Sequence, residues 1–150
     1  MNIHGKHYQS IWFDENDCNV KIIDQTRLPH RFEVLALSSL QDACHAIESM
    51  QVRGAPLIGV TAAYGMYLAL REDPNQLAVA LDRLASTRPT AVNLQWALNR
   101  VSAALRNTVV EERAASALQQ AQAMAAEDSA ICEAIGDNGA KLLQEIWDAR

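Results

Sequence analysis

The residues with the clearest capacity for chemistry stand together before an apolar run: Arg53, Gly54, Ala55 and Pro56. Proline is favoured at the first position of a helix, so the pattern predicts that a helix begins at Pro56. The N–H groups of its first turn, including those of Leu57 and Ile58, carry partial positive charge and attract anions. Arg53 adds a planar set of donors that suits phosphate or carboxylate, and Gly54 permits a tight turn. This order of residues favours an oxyanion site at a helix N-terminus.

A second arginine stands in a similar position. Arg88 and Pro89 precede a helix that we expect to begin close to Thr90. Two helix N-termini, each with an arginine just outside, are suited to holding one phosphate between them. The alternatives are that Gly54 only shapes a loop, that Arg53 pairs with a carboxylate, and that Arg88 is a solvated or paired loop residue.

The element that must position these residues is the apolar segment from Leu57 to Leu70. Because it is apolar almost all round, it is expected to be a buried helix, and it is shorter than the roughly 20 residues of a membrane span. Gly59 and Ala63 lie four residues apart and would let a neighbouring helix approach closely. The segment therefore predicts the central helix of a bundle.

Strand signals are concentrated in the first 37 residues. Three short apolar runs, at 10–13, 20–23 and 31–37, are separated by polar turn residues and predict a small antiparallel meander. The polar segment 14–19 is suited to a hairpin turn, because Asp and Asn side chains bond to nearby backbone groups.

The rest of the chain has the periodicity of helices. Ser38 or Ser39 is suited to capping the first of them, with Gln41 or Asp42 completing a capping box. The predicted helical segments are 39–49, the central helix, one from Asp73 and Pro74 to about 86, one from about 90 to 105, one from 107 or 108 to 128, a continuation to 135 with a break at Gly136, and 138–147. The fold class is therefore α+β and mainly α: a single domain over residues 1–150, with a small β-sheet at 1–37 and a helical bundle at 38–150.

The net charge and the cysteine count indicate which classes of binding partner and which cell compartment are expected. The 150 residues include 13 Lys or Arg against 18 Asp or Glu, a formal charge of −5, which argues against nucleic acid and against an anionic membrane surface. The three cysteines are odd in number and widely spaced, so a disulfide framework is not expected. There is no apolar run of signal-peptide length at the N-terminus. These features favour a cytoplasmic protein with no membrane partner.

Other reactive side chains have ordinary explanations. Cys44 and Cys132 are expected in the core, because free cysteine is among the most buried residue types, whereas Cys18 falls in a polar turn. Tyr64 and Tyr67 lie on the apolar helix and are also expected in the core.

The remaining polar candidates do not form a catalytic pair. His4 and His7 would need a helix to share a metal ion, and Gly5 disfavours one, so we expect neither a metal nor a cofactor. Asn93 is either a helix cap or a ligand amide. Glu127 and Asp128 have no partner carboxylate that the sequence places beside them.

Four stretches together carry a resemblance to a known family. They are Val52 to Gly65, Asp24-Gln25 with Leu28-Pro29, Arg88 to Leu94, and Ile135-Gly136 through Gly139-Ala140. In this order and spacing they closely resemble the N-terminal part of the methylthioribose-1-phosphate isomerases, over nearly all 150 residues. That family is related to the regulatory subunits of the eukaryotic initiation nucleotide-exchange factor.

The resemblance implies a function. Members convert 5-methylthioribose 1-phosphate to 5-methylthioribulose 1-phosphate in methionine salvage, an aldose–ketose isomerisation, and are typically homodimers. The substrate-binding residues would correspond to Arg53, Gly54, Ala55 and Arg88. The family's catalytic cysteine and aspartate belong to a Rossmann-like C-terminal domain and have no counterpart here, so we expect this chain to be inactive alone. A non-catalytic sugar-phosphate-binding or regulatory module and a purely structural helical domain are the alternatives.

Overall fold

Two small antiparallel sheets form at the start of the chain. The computed structural model describes residues 2–3 and 5–149. Strand β1 (Asn2–Ile3) pairs with β2 (Lys6–His7), a contact that the sequence pattern does not predict. His4, considered above with His7 as a metal ligand, lies outside the described residues.

The second sheet confirms the expected meander. Its order is β3 (Ile11–Asp14), β4 (Asn19–Ile23) and β5 (Val34–Leu37), with Ile11 opposite Ile22 and Val20 opposite Leu37. In the hairpin turn, Asp14 accepts a hydrogen bond from the backbone N–H of Asn16, as its residue type predicts.

The third strand is shorter than predicted. It begins at Val34 and not at Arg31, because the preceding segment is turned: the backbone N–H of Arg31 donates to the carbonyl of Arg27. The buried carboxylate of Asp24 holds this segment by accepting hydrogen bonds from both the backbone N–H and the hydroxyl of Thr26.

Helices joined by short loops follow the sheets. Their bounds are α1 (Leu40–Glu48), α2 (Ala55–Glu72), α3 (Leu77–Thr87), α4 (Val92–Leu105), a short 3-10 helix (Val110–Glu112) and α5 (Arg113–Asp148). At the start of α1, Ser39 and Asp42 form the predicted capping box. The architecture is thus the expected α+β fold, mainly α.

Helix α2 is the centre of the bundle, as its apolar sequence predicts. Every residue from Ile58 to Leu70 is buried, and the helix packs against α1, α3, α4 and α5. Tyr64 is 2% exposed, and burial raises the pKa of its hydroxyl to about 12, so its assignment to the core is confirmed. Gly59 lets α4 approach: a Cβ at this position would lie 2.9 Å from the carbonyl oxygen of Asn93.

The predicted start of α3 is wrong. Asp73 ends α2, since its backbone N–H donates to the carbonyl of Ala69, and its side chain accepts a hydrogen bond from the backbone N–H of Asn75. This local turn occupies the residues that would otherwise begin the helix. Helix α3 therefore begins at Leu77, three residues after Pro74.

The predicted division of the C-terminal segment is also wrong. Helix α5 is continuous over 36 residues and includes Gly136 and Gly139. A glycine in a helix costs only about 1 kcal/mol, and the flanking Ala, Glu, Leu and Gln residues are strong helix formers. In the part of the chain that is described, no helix has the length and apolar character to cross a membrane.

Candidate functional site

A cleft of about 480 Å³ opens at the N-terminus of α2. One wall is the start of α2 with Arg53 and Gly54 before it. The second wall is the middle of α5, and the third is the segment from His7 to Ile11 together with Gln25. Three separate parts of the fold thus meet around the predicted oxyanion site.

The α2 terminus has the features of an anion-binding helix end. Gly54 precedes the helix with φ 96° and ψ 135°, a conformation that other residues rarely adopt. The helix begins at Ala55 and not at Pro56, and Pro56 occupies its second position. Ile58 is not a free donor, contrary to expectation, because its N–H donates to the carbonyl of Gly54. Among the described residues, the N–H groups of Ala55 and Leu57 have no such acceptor.

Arg53 is exposed and borders the cleft. Its Nε donates to the carbonyl of Met50 at 3.3 Å, which fixes the base of the guanidinium group. No carboxylate among the described residues forms an ion pair with it, so the alternative of a paired Arg53 is not observed. The guanidinium remains available to a ligand.

Arg88 lies at the same end of the bundle but does not line this cleft. It caps α3 at its C-terminus and is half-buried in the link to α4, where its carbonyl accepts a hydrogen bond from the N–H of Ala91. The contact between Gly59 of α2 and Asn93 of α4 places the beginnings of these two helices side by side. The structure therefore brings the two helix N-termini together, and it leaves Arg88 outside the lining of the cleft that Arg53 borders.

Helix α4 begins later than predicted. Its first residue is Val92 and its N-cap is Ala91, so neither Thr90 nor Asn93 caps the helix. Asn93 is half-buried in the first turn of α4 and lines a smaller cavity. Its role as a ligand amide stays a prediction.

The wall formed by α5 was not predicted. Asp128, Ser129, Cys132 and Glu133 face the cleft on successive turns. Cys132 is exposed, so its assignment to the core is wrong, whereas Cys44 is buried as expected and burial raises the pKa of its thiol. The sequence does contain a signal for this wall: Asp128 and Cys132 are four residues apart and therefore share one face of a helix. The sequence alone does not indicate that this face borders the cleft, because that depends on how α5 packs.

The smaller cavity, of about 220 Å³, shares Pro56, Val60 and Asp128 with the cleft. Its rim is fixed by Arg100, which donates two hydrogen bonds to the carboxylate of Glu127, at 2.5 and 2.6 Å, and stacks on the ring of Trp96. These hydrogen bonds lower the pKa of Glu127 and raise that of Arg100. Asp128 is the polar side chain at the junction of the two cavities.

The chain is similar in sequence to curated proteins of known name. The chain is 51% identical to the methylthioribose-1-phosphate isomerase of Methylocella silvestris and 53% identical to that of Methylorubrum populi, over 97% of its own length. It spans about 40% of the length of these curated relatives.

Two solved structures share the fold. The delta subunit of translation initiation factor eIF-2B from A. fulgidus superimposes with a TM-score of 0.74 at 40% identity, over 82% of this chain and 38% of that one. The 5-methylthioribose 1-phosphate isomerase of Pyrococcus horikoshii gives 0.72 at 32% identity, over 81% and 37%.

The resemblance seen in the sequence motifs is thus confirmed by relatives at about half identity. Residues 51–146, which include Arg53, the cleft wall of α5 and all of α2 to α4, match the Initiation factor 2 subunit family. The chain belongs to the Initiation factor 2 subunit family, and in sequence it is similar to proteins named methylthioribose-1-phosphate isomerase.

Proposed function

We propose that this chain supplies the substrate-binding part of an isomerase that converts 5-methylthioribose 1-phosphate to 5-methylthioribulose 1-phosphate. The observation that carries the proposal is the α2 N-terminus beside an open cleft: among the described residues, the N–H groups of Ala55 and Leu57 have no backbone acceptor and Arg53 has no ion-pair partner. The identity of about 50% to proteins named for this isomerisation supports the choice of substrate.

The substrate's phosphate fits the donors at this helix end. The N–H groups of Ala55 and Leu57 would donate to phosphate oxygens, and the partial positive charge of the helix end would favour the dianion. The guanidinium of Arg53 would add two parallel hydrogen bonds, a geometry that lysine does not reproduce. We assign Arg88 a supporting role on the same phosphate, from the link between α3 and α4.

The role assigned to this chain is binding and orientation. An aldose–ketose isomerisation moves hydrogen between two adjacent sugar carbons, and the family resemblance assigns that step to a cysteine and an aspartate of the Rossmann-like domain. We therefore expect the 150 residues to bind the substrate without turnover. Cys18, Cys44 and Cys132 are unpaired, which fits the reducing cytoplasm where we place the protein.

Calorimetric titration with 5-methylthioribose 1-phosphate tests this proposal. We expect saturable binding that falls at least tenfold in Arg53→Ala, since hydrogen bonds to a charged group contribute about 1.5–3 kcal/mol. Arg88→Ala should weaken binding to a smaller extent. Arg106→Ala is the matched control, because Arg106 is equally charged, exposed and at the opposite end of α4. No binding by the wild-type chain, or equal losses in Arg53→Ala and Arg106→Ala, would contradict the proposal.

A second candidate is a non-catalytic regulatory module. It is favoured by the likeness to the delta subunit of the initiation factor, whose identity of 40% exceeds the 32% of the solved isomerase. We rank it second because the curated relatives at 51–53% identity are named isomerases. The two differ in ligand preference: the isomerase proposal requires 5-methylthioribose 1-phosphate to bind more tightly than ribose 1-phosphate, whereas equal affinities would favour the regulatory module.

A further inference from the structure

Asp128 has an unusual position for an aspartate beside an anion site. It is half-buried on α5, and it lines both the cleft at the α2 terminus and the smaller cavity next to it. Within residues 2–3 and 5–149, no hydrogen bond or ion pair involves its carboxylate. By contrast, its neighbour Glu127 is fully engaged with Arg100.

The charge of Asp128 works against phosphate binding. A carboxylate that borders the same cleft as the Arg53 guanidinium repels a dianion, and this repulsion is stronger where solvent is partly excluded. Glu133, on the same wall, adds to that repulsion. The position of Asp128 is therefore useful only for a ligand that offers hydrogen-bond donors in addition to its anionic group.

A sugar phosphate is such a ligand. An ionised carboxylate only accepts hydrogen bonds, and its two oxygens can accept from two neighbouring hydroxyl groups. Such hydrogen bonds to a charged acceptor are shorter and stronger than those between neutral groups. In the cleft, Arg53 and the α2 terminus provide donors, and Asp128 provides the acceptor on the facing wall.

We propose that Asp128 is a specificity-determining residue that accepts hydrogen bonds from the adjacent ribose hydroxyls of the substrate and so selects sugar phosphates over other anions. The inference rests on the proposed function, because it takes the phosphate to be held at the α2 terminus. It adds a second point of attachment, which fixes the orientation of the sugar relative to its phosphate.

The test compares two ligands on three proteins. The wild-type chain, Asp128→Ala and Asp137→Ala are titrated calorimetrically with 5-methylthioribose 1-phosphate and with inorganic phosphate. Asp137→Ala removes the same charge from an exposed position of α5 outside the cleft and serves as the matched control. Circular dichroism checks that each variant keeps its helix content.

We expect opposite effects on the two ligands. Asp128→Ala should weaken binding of the sugar phosphate about tenfold or more, since charge-assisted hydrogen bonds are lost, and should leave inorganic phosphate as tightly bound or more tightly bound. Asp137→Ala should change neither affinity more than about twofold, because charges beyond a Debye length are screened.

The outcomes separate this inference from the proposed function. Stronger or unchanged binding of both ligands by Asp128→Ala would overturn the role of Asp128 while leaving the anion site in place. Equal weakening of both ligands would overturn it as well, because a residue that selects the sugar does not hold free phosphate. Absence of sugar-phosphate binding by the wild-type chain would contradict the proposed function and the role of Asp128 together.

Discussion

Gly54 shows at the scale of one residue how the site depends on backbone geometry. Its φ of 96° is a conformation that glycine adopts readily and residues with a Cβ rarely adopt. This turn lets the chain enter α2 with the N–H groups of Ala55 and Leu57 directed out of the helix end. Arg53 directly precedes this glycine and borders the same cleft, so both kinds of donor lie at this turn.

The first prediction concerns this glycine. Gly54→Ala should lower the free energy of unfolding by about 1–3 kcal/mol, because the conformation is strained for alanine even though there is space for a Cβ. It should also weaken binding of 5-methylthioribose 1-phosphate, since relief of the strain moves the donors. Urea unfolding and calorimetry measure the two effects. A variant as stable as the wild type that binds equally well would show that the turn is not needed.

A second residue-scale prediction concerns pH. Burial raises the pKa of Asp42, but hydrogen bonds from Ser38 and Ser39 outweigh this effect and hold the pKa below its usual value of 3.8. A carboxyl group with a lowered folded pKa stabilises the fold above its unfolded pKa, and that contribution is lost as the pH falls through the folded value.

Asp42→Ala should therefore lower the free energy of unfolding by about 1 kcal/mol at pH 7, the typical contribution of a helix cap. The difference from the wild type should shrink as the pH falls below about 4. Urea unfolding at several pH values measures it, with Asp137→Ala as the control. A difference that is constant from pH 7 to pH 3 would contradict the role of the Asp42 charge.

At the scale of elements, close contact between helices depends on glycine in α2. A Cβ at Gly59 would lie 2.9 Å from the carbonyl oxygen of Asn93 and 3.2 Å from the Cβ of Ala97, both on α4. This contact sets the two helix N-termini side by side, where the proposed phosphate site requires them. Gly136 in α5, in contrast, faces open space: beyond its own helical turn, no atom of the described residues lies within 4 Å of where a Cβ would be.

These two glycines make a matched test. Gly59→Ala should destabilise the fold by about 1–3 kcal/mol, because the backbone of α4 must move to admit a methyl group. Gly136→Ala should stabilise it by up to about 1 kcal/mol, since alanine is the better helix former at an open position. Thermal unfolding of both variants checks the pair. Stabilisation by both substitutions would show that α2 and α4 are not in close contact at Gly59.

The sequence predicted elements well where the signal is local. The burial of α2 follows from its apolar residues, and the capping box of Ser39 and Asp42 from their spacing. The predicted start of α3 is wrong because the Asp73 side chain accepts a hydrogen bond from the backbone N–H of Asn75, and this local turn occupies the residues where the helix was expected to begin. The cleft wall with Asp128 was missed because it depends on how α5 packs against α2, which residues distant in sequence decide.

At the scale of the whole molecule, the two halves of α5 differ in how closely they pack against the rest of the fold. Its first half packs on α2 and α4, and Ala117, Ala121 and Met124 are buried. Its second half carries exposed apolar side chains, among them Ile135, Leu143 and Trp147, at 66%, 69% and 74% exposure. Helical stability in proteins comes mostly from packing of an apolar face, so the two halves should differ in local stability.

Amide hydrogen exchange should reveal this difference. We expect strong protection from Ala117 to Met124 and weak protection from Ile135 to Trp147, since unpacked helical turns open without global unfolding. Mass spectrometry of the exchanged chain at low protein concentration measures both segments. Equal protection along α5 that persists on dilution would contradict the exposure of its second half.

The most direct measurement of the proposed site is a titration of the isotopically labelled chain with 5-methylthioribose 1-phosphate, followed through its backbone amide resonances. We predict saturable shifts that are largest at Gly54, Ala55 and Leu57, with a second group near Asp128, and their loss in Arg53→Ala. Shifts that are largest on the distal half of α5, or no shifts at saturating ligand, would contradict an anion site at the N-terminus of α2.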